Sequence, residues 1–478
     1  MSDRTISEKT VNPARVDATA RMGTDSVWHL LITMGIPGIL STLTTYFYTM
    51  VDQIFVGNFV GRNALGSLSL ITPFNNIVNA LAMFATVGGP SLLAVYLGAG
   101  RKKEADRLFT NILVEIFVIS LTVTVLFSIW TEGAIRLFGG KVGTEVYAYA
   151  VDYLRILVLG EIFNMATFGL SAIIRTEGHA TYSMFSNLFG AVANLGFNTL
   201  FMVVLHLGIR GAALGTVASQ VTGALIGAAF FLRGKSQLHW TGFSTLKITI
   251  MLHAMRMGIA PAVFQILSFF TTILTNISLQ QYGDLDAELA AVGGGQLAVS
   301  ANGVVVLCES MIVSISLGIN QAAAPLISYN YGAGKPDRVK KITLDAQLFA
   351  FAFAIPIWCV MMFAPHWLIA LFGKEDAALI AFGSHAMRLS KAFAFLVGYQ
   401  TLVSMFFSAI TRPGLATLVS LFRHGIFLVP ALLILPHFFG LDGVLLAGSV
   451  SDGCSVIVVS ILYIVWLRRL GKPENQGI

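Results

Sequence analysis

The sequence predicts an all-α polytopic membrane protein with twelve transmembrane helices in two pseudo-symmetric six-helix lobes. Of its 478 residues, 56% are hydrophobic and only 11% are charged, whereas soluble domains carry roughly 25% charged residues. The apolar residues form long segments, and a helix of about 20 such residues crosses about 30 Å of hydrocarbon. Because lipid satisfies no backbone groups and the segments are too long for barrel strands, the spans are predicted to be helical.

Twelve segments meet this length and composition. They are residues 28–51, 66–95, 109–130, 148–174, 181–205, 211–232, 255–280, 297–329, 345–363, 383–410, 416–437 and 444–466. The predicted organisation is a tail (1–27), a first lobe (28–232), a linker (233–254), a second lobe (255–466) and a second tail (467–478). The first tail is polar and lacks the apolar run of a signal peptide, so it is expected to be solvated.

The basic residues predict the orientation. One face of the twelve-span arrangement carries 21 of the 30 Lys and Arg residues, and the other carries five. Loops rich in Lys and Arg stay in the cytoplasm, so both tails are expected there. The expected location is the plasma membrane, which is the inner membrane in a bacterium. The same bias accounts for the net charge of +6, and no nucleic-acid partner is predicted.

The two halves repeat each other. The Leu-Gly-Ala-Gly-Arg segment at 97–101 recurs as Tyr-Gly-Ala-Gly-Lys at 331–335, and Ser-Ala-Ile-Ile-Arg at 171–175 recurs as Ser-Ala-Ile-Thr-Arg at 408–412. Glycines followed by a basic residue are typical of helix ends. Since each copy has an even number of spans, the lobes are expected to face each other across a central cleft. This is a transporter architecture.

An acid within an apolar span is a functional candidate by default. Asp52 follows the apolar run of the first span, and Pro37 lies 15 residues earlier, or about 22 Å back along a helix. A proline inside a span frees a carbonyl and marks a helix bend. Asp52 is therefore either a coupling acid or a helix-end carboxylate at the outer headgroups.

Polar residues of spans 5 and 6 are candidates to surround Asp52. Asn194 and Asn198 are four residues apart and share a helix face, and Thr216 lies in the next span. They form either hydrogen bonds between helices or a ring of oxygens that suits a proton or a transient Na⁺.

Three further acids, Glu115, Glu161 and Glu309, lie within predicted spans, and Glu309 is taken as the only span acid of the second lobe. Arg423, with His424 beside it, is the expected partner of Glu309. For each acid, a structural ion pair and a role in coupling or substrate binding both remain open. The candidate residues of a substrate cavity are Tyr46, Tyr48, Glu161, Phe163, Asn164, Phe168, Gln265 and Glu309.

No permanent metal, cofactor or catalytic group is predicted. Cys308, Cys359 and Cys454 are widely spaced within apolar stretches, so they are interpreted as packing residues. His437 and Asp442 have the spacing of an acyltransferase motif, but they lie in a short predicted outer loop. An integral-membrane transferase is the enzymatic alternative.

Three motifs carry a family resemblance. Residues 48–57 with Pro37, residues 208–216, and residues 325–334 with the Gly-Ala-Gly-basic repeat stand in an order and spacing that resembles the multidrug and toxic compound extrusion (MATE) family. The resemblance covers residues 28–466 and is greatest with the MepA-like subgroup. It implies a transporter in the lipid bilayer that exports amphipathic, often cationic, compounds in exchange for H⁺ or Na⁺; a monomer is expected.

The resemblance also assigns roles to residues. Asp52, Asn194, Asn198 and Thr216 stand where one branch of the family binds its coupling ion, although that branch usually has Asp at the position of Asn198. The implied mechanism is that protonation of Asp52 re-sets the bend at Pro37, narrows the first-lobe cavity and releases substrate outward. The alternative within the superfamily is a flippase for lipid-linked oligosaccharides, which the basic residues of the second lobe leave open.

Overall fold

A computed structural model describes residues 13–371 and 376–470, and in this part of the chain it contains helices and no strand. Residues 1–12 and 471–478 of the two predicted tails lie outside the described residues. The helices up to the linker are α1 (Pro13–Thr24), α2 (Val27–Phe59), α3 (Arg62–Met83), α4 (Gly89–Gly98), α5 (Lys102–Leu137), α6 (Glu145–Thr176), α7 (Ala180–Asn198) and α8 (Gly208–Leu232).

The second half continues in the same way. Its helices are α9 (Ile248–Leu285), α10 (Ala287–Ala290), α11 (Gly294–Gly332), α12 (Pro336–Phe363), α13 (Pro365–Ala370), α14 (Ala377–Ser390), α15 (Val397–Ala409), α16 (Pro413–Leu421) and α17 (Val429–Arg469). Short π-helical turns join α3 to α4, extend α7, and join α16 to α17.

The prediction of twelve spans is confirmed. In the described residues, nine segments are long and apolar enough to cross a membrane, and two bent helix pairs raise the number to eleven. One of the nine, Pro413–Arg469, is 57 residues long and breaks at Gly440, where φ is 56°. Glycine adopts this backbone conformation without a steric penalty, so the segment supplies two spans.

Local signals set several helix ends. The hydroxyl of Ser26 accepts a hydrogen bond from the backbone N–H of His29, and Thr144 does the same for Tyr147, which satisfies free donors at the starts of α2 and α6. The repeated glycine segments end α4 and α11 as predicted, and the last glycine of each, Gly100 and Gly334, has a positive φ.

The repeat also explains how the lobes meet. A Cβ placed on Gly98 would lie 1.9 Å from the carbonyl oxygen of Tyr329, and one on Gly332 would lie 2.0 Å from that of Val95. The equivalent glycines therefore let α4 and α11 cross at backbone contact, near the end of the bundle against which α1 packs. At a second close crossing, a Cβ on Gly38 of α2 would lie 2.4 Å from the carbonyl oxygen of Gly318.

The first tail differs from the expected solvated segment, because part of it is helical and packed. Met22 of α1 is fully buried, and its carbonyl oxygen accepts a hydrogen bond from Asn330 Nδ2 at 2.9 Å. Thr19 donates to the carbonyl oxygen of Glu177. A few buried side chains and backbone acceptors thus fix α1 against both lobes.

Candidate functional site

Asp52 lies in the first lobe within a cluster of amides. Asn198 Nδ2 donates to Asp52 Oδ1 at 2.7 Å and to Asn194 Oδ1 at 3.1 Å. Both asparagines are almost fully buried. Among the described residues, no Lys, Arg or His lies within 4 Å of the Asp52 carboxylate. The spacing of four residues on α7 therefore places Asn198 against the acid of α2 and Asn194 behind Asn198.

Other polar side chains surround this group. Tyr153 of α6 lies close to Thr216 and within electrostatic range of Asp52, Tyr48 and Glu161. The Thr216 hydroxyl donates to the carbonyl oxygen of Ala212. Tyr153 did not emerge from the sequence analysis, since one buried tyrosine in an apolar span carries no distinctive pattern.

Glu161 belongs to the same lobe. It is 2% exposed, and its Oε2 accepts a hydrogen bond from Asn164 Nδ2 at 2.9 Å. Glu115 on α5 is also 2% exposed, and neither of its oxygens has a hydrogen-bond partner among the described residues. In the described structure, none of the first-lobe acids Asp52, Glu115 and Glu161 has a cation within 4 Å.

A cavity of about 960 Å³ lies between the two lobes. It is lined mainly by α2, α6, α9, α11 and α15 and by the π turn between α3 and α4. Thr49, Met50 and Gln53 of α2 line the cavity, whereas Tyr48 and Asp52, which are four residues apart, lie in the first-lobe cluster. One helix therefore separates the acid cluster from the cavity.

Two of the eight residues predicted to form a substrate cavity line the observed cavity. Tyr46 and Phe168 line the cavity. Tyr48, Glu161 and Asn164 belong to the first-lobe group around Asp52.

The remaining predicted cavity residues lie elsewhere. Gln265 donates to Asn76 Oδ1 at 3.3 Å across the lobes, and Phe163 is 39% exposed. Pro37 lies inside α2, a continuous helix, next to the Gly38 crossing.

The second lobe holds a buried network of four charges. Glu309 accepts from Lys391 at 2.5 Å and from Arg423 at 3.2 Å, and Arg423 also contacts Asp452 at 2.7 Å. All four side chains are at most 13% exposed. The predicted pair of Glu309 and Arg423 is thus present, within a network of two acids and two cations.

One sequence interpretation needs correction. Glu309 is not the only span acid of the second lobe, because Asp452 lies within α17 and was detectable as an acid in an apolar run. In the predicted outer loop, Asp442 contacts His385 Nε2 at 2.7 Å, a pairing that joins distant parts of the chain. In the described chain, no group of three or more His, Cys, Asp or Glu residues has the arrangement of a metal site.

Comparisons with known proteins agree with this architecture. The MatE family model matches residues 37–200 and 271–433. The chain is 23% identical over 452 residues to the multidrug export protein MepA of Staphylococcus saprophyticus, covering 93% of this chain and 94% of that protein.

Two solved structures are similar throughout. An outward-facing multidrug resistance MATE family transporter of the MOP superfamily has a TM-score of 0.87 at 21% identity and covers 95% of this chain and 99% of its own. The MATE multidrug transporter DinF-BH, solved as a complex, has a TM-score of 0.81 at 30% identity and covers 92% of this chain and 96% of its own. The chain belongs to the MatE family of multi-pass membrane transporters, in which it is MepA-like.

Proposed function

We propose that the protein exports amphipathic small molecules in exchange for a cation, with Asp52 as the group that takes up and releases the ion. The observation that carries this proposal is the contrast between the lobes. Asp52 accepts a hydrogen bond from Asn198 and has no cation within 4 Å among the described residues, whereas Glu309 and Asp452 are both paired with cations. An acid without a fixed countercharge gains most from an incoming ion.

The position of Asp52 on α2 supports a coupling mechanism. Protonation removes the charge that Asn198 stabilises and changes the hydrogen bond between α2 and α7. The opposite face of α2 lines the cavity. The N-terminal half of α2 carries Pro37, beside the crossing with α11. A change in the tilt or bend of α2 at Pro37 then alters the cavity wall and the contact between the lobes together.

The hydrogen bonds favour H⁺ over Na⁺ as the coupling ion. Na⁺ requires several oxygen atoms directed at one point, as other hard cations do. Here the Nδ2 group of Asn198 donates hydrogen bonds to the oxygens of both Asp52 and Asn194. This N–H donor occupies the position between the two oxygens that a bound Na⁺ would take. A proton needs no such position.

The orientation is part of the proposal. The distribution of basic residues favours a cytoplasmic location of the termini, and the lobes touch toward that side through the crossings of Gly38 and Gly98. The cavity then belongs to an outward-facing state, and its closure on the outer side would accompany opening toward the cytoplasm.

The test is efflux from proteoliposomes under separately imposed pH and Na⁺ gradients. We expect the pH gradient alone to drive export in the wild type, and Asp52→Asn to remove the response to the gradient while the protein still folds. Asp152→Asn is the matched control, since Asp152 is a partly exposed acid paired with Arg210. Wild-type coupling in Asp52→Asn would refute the assignment.

Asn198→Asp examines the choice of ion. This substitution replaces the donor by oxygens and places two carboxylates beside Asn194. We expect it to introduce a dependence on Na⁺ that the wild type lacks. An unchanged ion profile would argue against this site.

A flippase for lipid-linked oligosaccharides is the second candidate. Lys391 and Arg423, two of the basic residues that suggested a flippase, form ion pairs with buried acids. Arg175, in contrast, lines the cavity between the lobes. Export of a fluorescent cation such as ethidium supports multidrug export, whereas transport confined to a pyrophosphate-linked lipid supports the flippase.

A further inference from the structure

The cavity between the lobes has an unusual charge composition for an exporter of cations. Most of its lining is apolar or carries hydroxyl and amide groups, and among the described residues Arg175 is the only charged side chain in it. Asp52, Glu161 and Glu309 do not line it. The described lining of the cavity therefore has a fixed positive charge and no acid to receive a cationic substrate.

The guanidinium of Arg175 is bound by a hydroxyl group. Its Nη1 donates to Ser183 Oγ at 2.8 Å, and no carboxylate lies within 4 Å of it among the described residues. The neighbouring acid, Glu177, is directed at the linker, where its Oε1 accepts hydrogen bonds from the Ser236 hydroxyl and the Gln237 backbone N–H. A half-buried guanidinium without an acid retains most of its capacity to bind an anion.

The repeat provides an internal comparison. Arg412 occupies the equivalent position in the second half, but its guanidinium lies over the ring of Trp466, 5.4 Å from the centroid, and it does not line the cavity. The two halves thus share the arginine in sequence, while only the first-half copy faces the space between the lobes.

We propose that Arg175 binds the anionic group of amphipathic substrates, so that carriers of a carboxylate, sulfonate or phosphate enter this cavity in preference to pure cations. This inference rests on the proposed export function and names its substrate class. The planar guanidinium matches such groups with two parallel hydrogen bonds. The apolar side chains of Phe168 and Phe264 line the same cavity and are available to the apolar part of the substrate.

Equilibrium binding to the purified protein in detergent tests the proposal without any ion gradient. The probes are a cationic rhodamine ester and the zwitterionic free acid of the same dye, which differ in the carboxylate alone. We expect the wild type to bind the free acid more tightly. Arg175→Gln should weaken binding of the acid about ten-fold to a hundred-fold and leave the ester within about two-fold.

Two further variants keep the test independent of folding. Arg412→Gln removes the repeat-related arginine outside the cavity and should preserve the preference for the acid. Arg175→Lys keeps the charge without the planar fork and should restore part of the lost affinity. Equal losses for acid and ester in Arg175→Gln, or a wild-type preference for the ester, would overturn the proposal.

A transport experiment distinguishes a lipid from a soluble amphiphile as the carrier of the anionic group. In proteoliposomes, movement of labelled phosphatidylglycerol but not phosphatidylcholine that depends on Arg175 would identify a lipid headgroup. Export of the free dye acid that depends on Arg175 would identify soluble amphiphiles, and dependence of neither on Arg175 would contradict the inference. Because binding needs no ion gradient, the preference for the acid can be measured in detergent even where transport fails.

Discussion

Gly215 of α8 is the position where the smallest side-chain change should disturb the Asp52 cluster. A Cβ at this position would lie 2.0 Å from Asn198 Oδ1, and ordinary contact begins at 3.4 Å. Asn198 would have to retreat by about 1.4 Å. Added to the present 2.7 Å from Asn198 Nδ2 to Asp52, a shift of that size exceeds hydrogen-bond length.

The expected magnitude follows from the bond that is lost. A hydrogen bond to a charged group contributes about 1.5–3 kcal/mol, and overpacking of a filled site costs about 1–3 kcal/mol. We therefore expect Gly215→Ala to lower the rate of gradient-driven export about ten-fold or more, to shift its pH dependence, and to lower the Tm.

The assay is export from proteoliposomes across a pH series, together with thermal unfolding in detergent. Gly196→Ala is the control, because Gly196 lies on α7 between the two asparagines and a Cβ there meets nothing within 4 Å. Asn198→Ala combined with Gly215→Ala completes a double-mutant cycle. Since alanine at 198 removes the contact with Oδ1 and leaves one of 3.2 Å to the backbone nitrogen of residue 198, the double variant should be little worse than Asn198→Ala alone.

Two results would refute this reasoning. One is a pH profile and rate for Gly215→Ala that equal those of the Gly196→Ala control. The other is full additivity in the double variant, which would show that Gly215 acts through contacts other than Asn198.

Other perturbations have outcomes that follow from the same structure. Gly38→Ala places a Cβ 2.4 Å from a backbone carbonyl of α11, so this variant should have a lower Tm because of overpacking and slower export. Gly303→Ala is the control, because open space surrounds that position, and it should change neither the Tm nor the export rate. Arg423→Met leaves two buried acids with one cation and should cost about 3–5 kcal/mol, seen as a loss of folded protein in thermal unfolding; a wild-type Tm would contradict the network. Burial raises the pKa of Glu177, which lies just beyond the end of α6, to about 7 from 4.5, so the folded state holds a proton that the unfolded state releases. Stability should then fall as pH rises from about 4.5 to 7 and level off above it, and Glu177→Gln should flatten that part of the Tm profile; an unchanged slope in this variant would show that another group titrates.

Much of the fold could be predicted because its signals are local. Each apolar segment specifies a span by length and composition, and a repeat at a nearly constant offset specifies two similar halves. The pairing of Asp52 with the amides of α7 was also accessible, because residues four apart share one face of a helix and the chemistry of an isolated acid limits its partners.

Other features depended on contacts between distant elements. The break at Gly440 and the bent helix pairs arise where backbones must cross or turn, which hydropathy does not encode. The acid Asp452 was visible in the sequence, but its place in one network with Lys391 and Arg423 required the packing of three helices.

The sequence by itself determined that this chain is a duplicated helical membrane protein with an acid in its first span, since span length, apolar composition and repetition are properties of the chain alone. Only the tertiary structure decided which charges are neutralised and which face the space between the lobes. Arg175 and Arg412 are equivalent in sequence, yet one lines the cavity and the other stacks on Trp466. Their difference arises because the environment of a side chain is set by the helices packed around it.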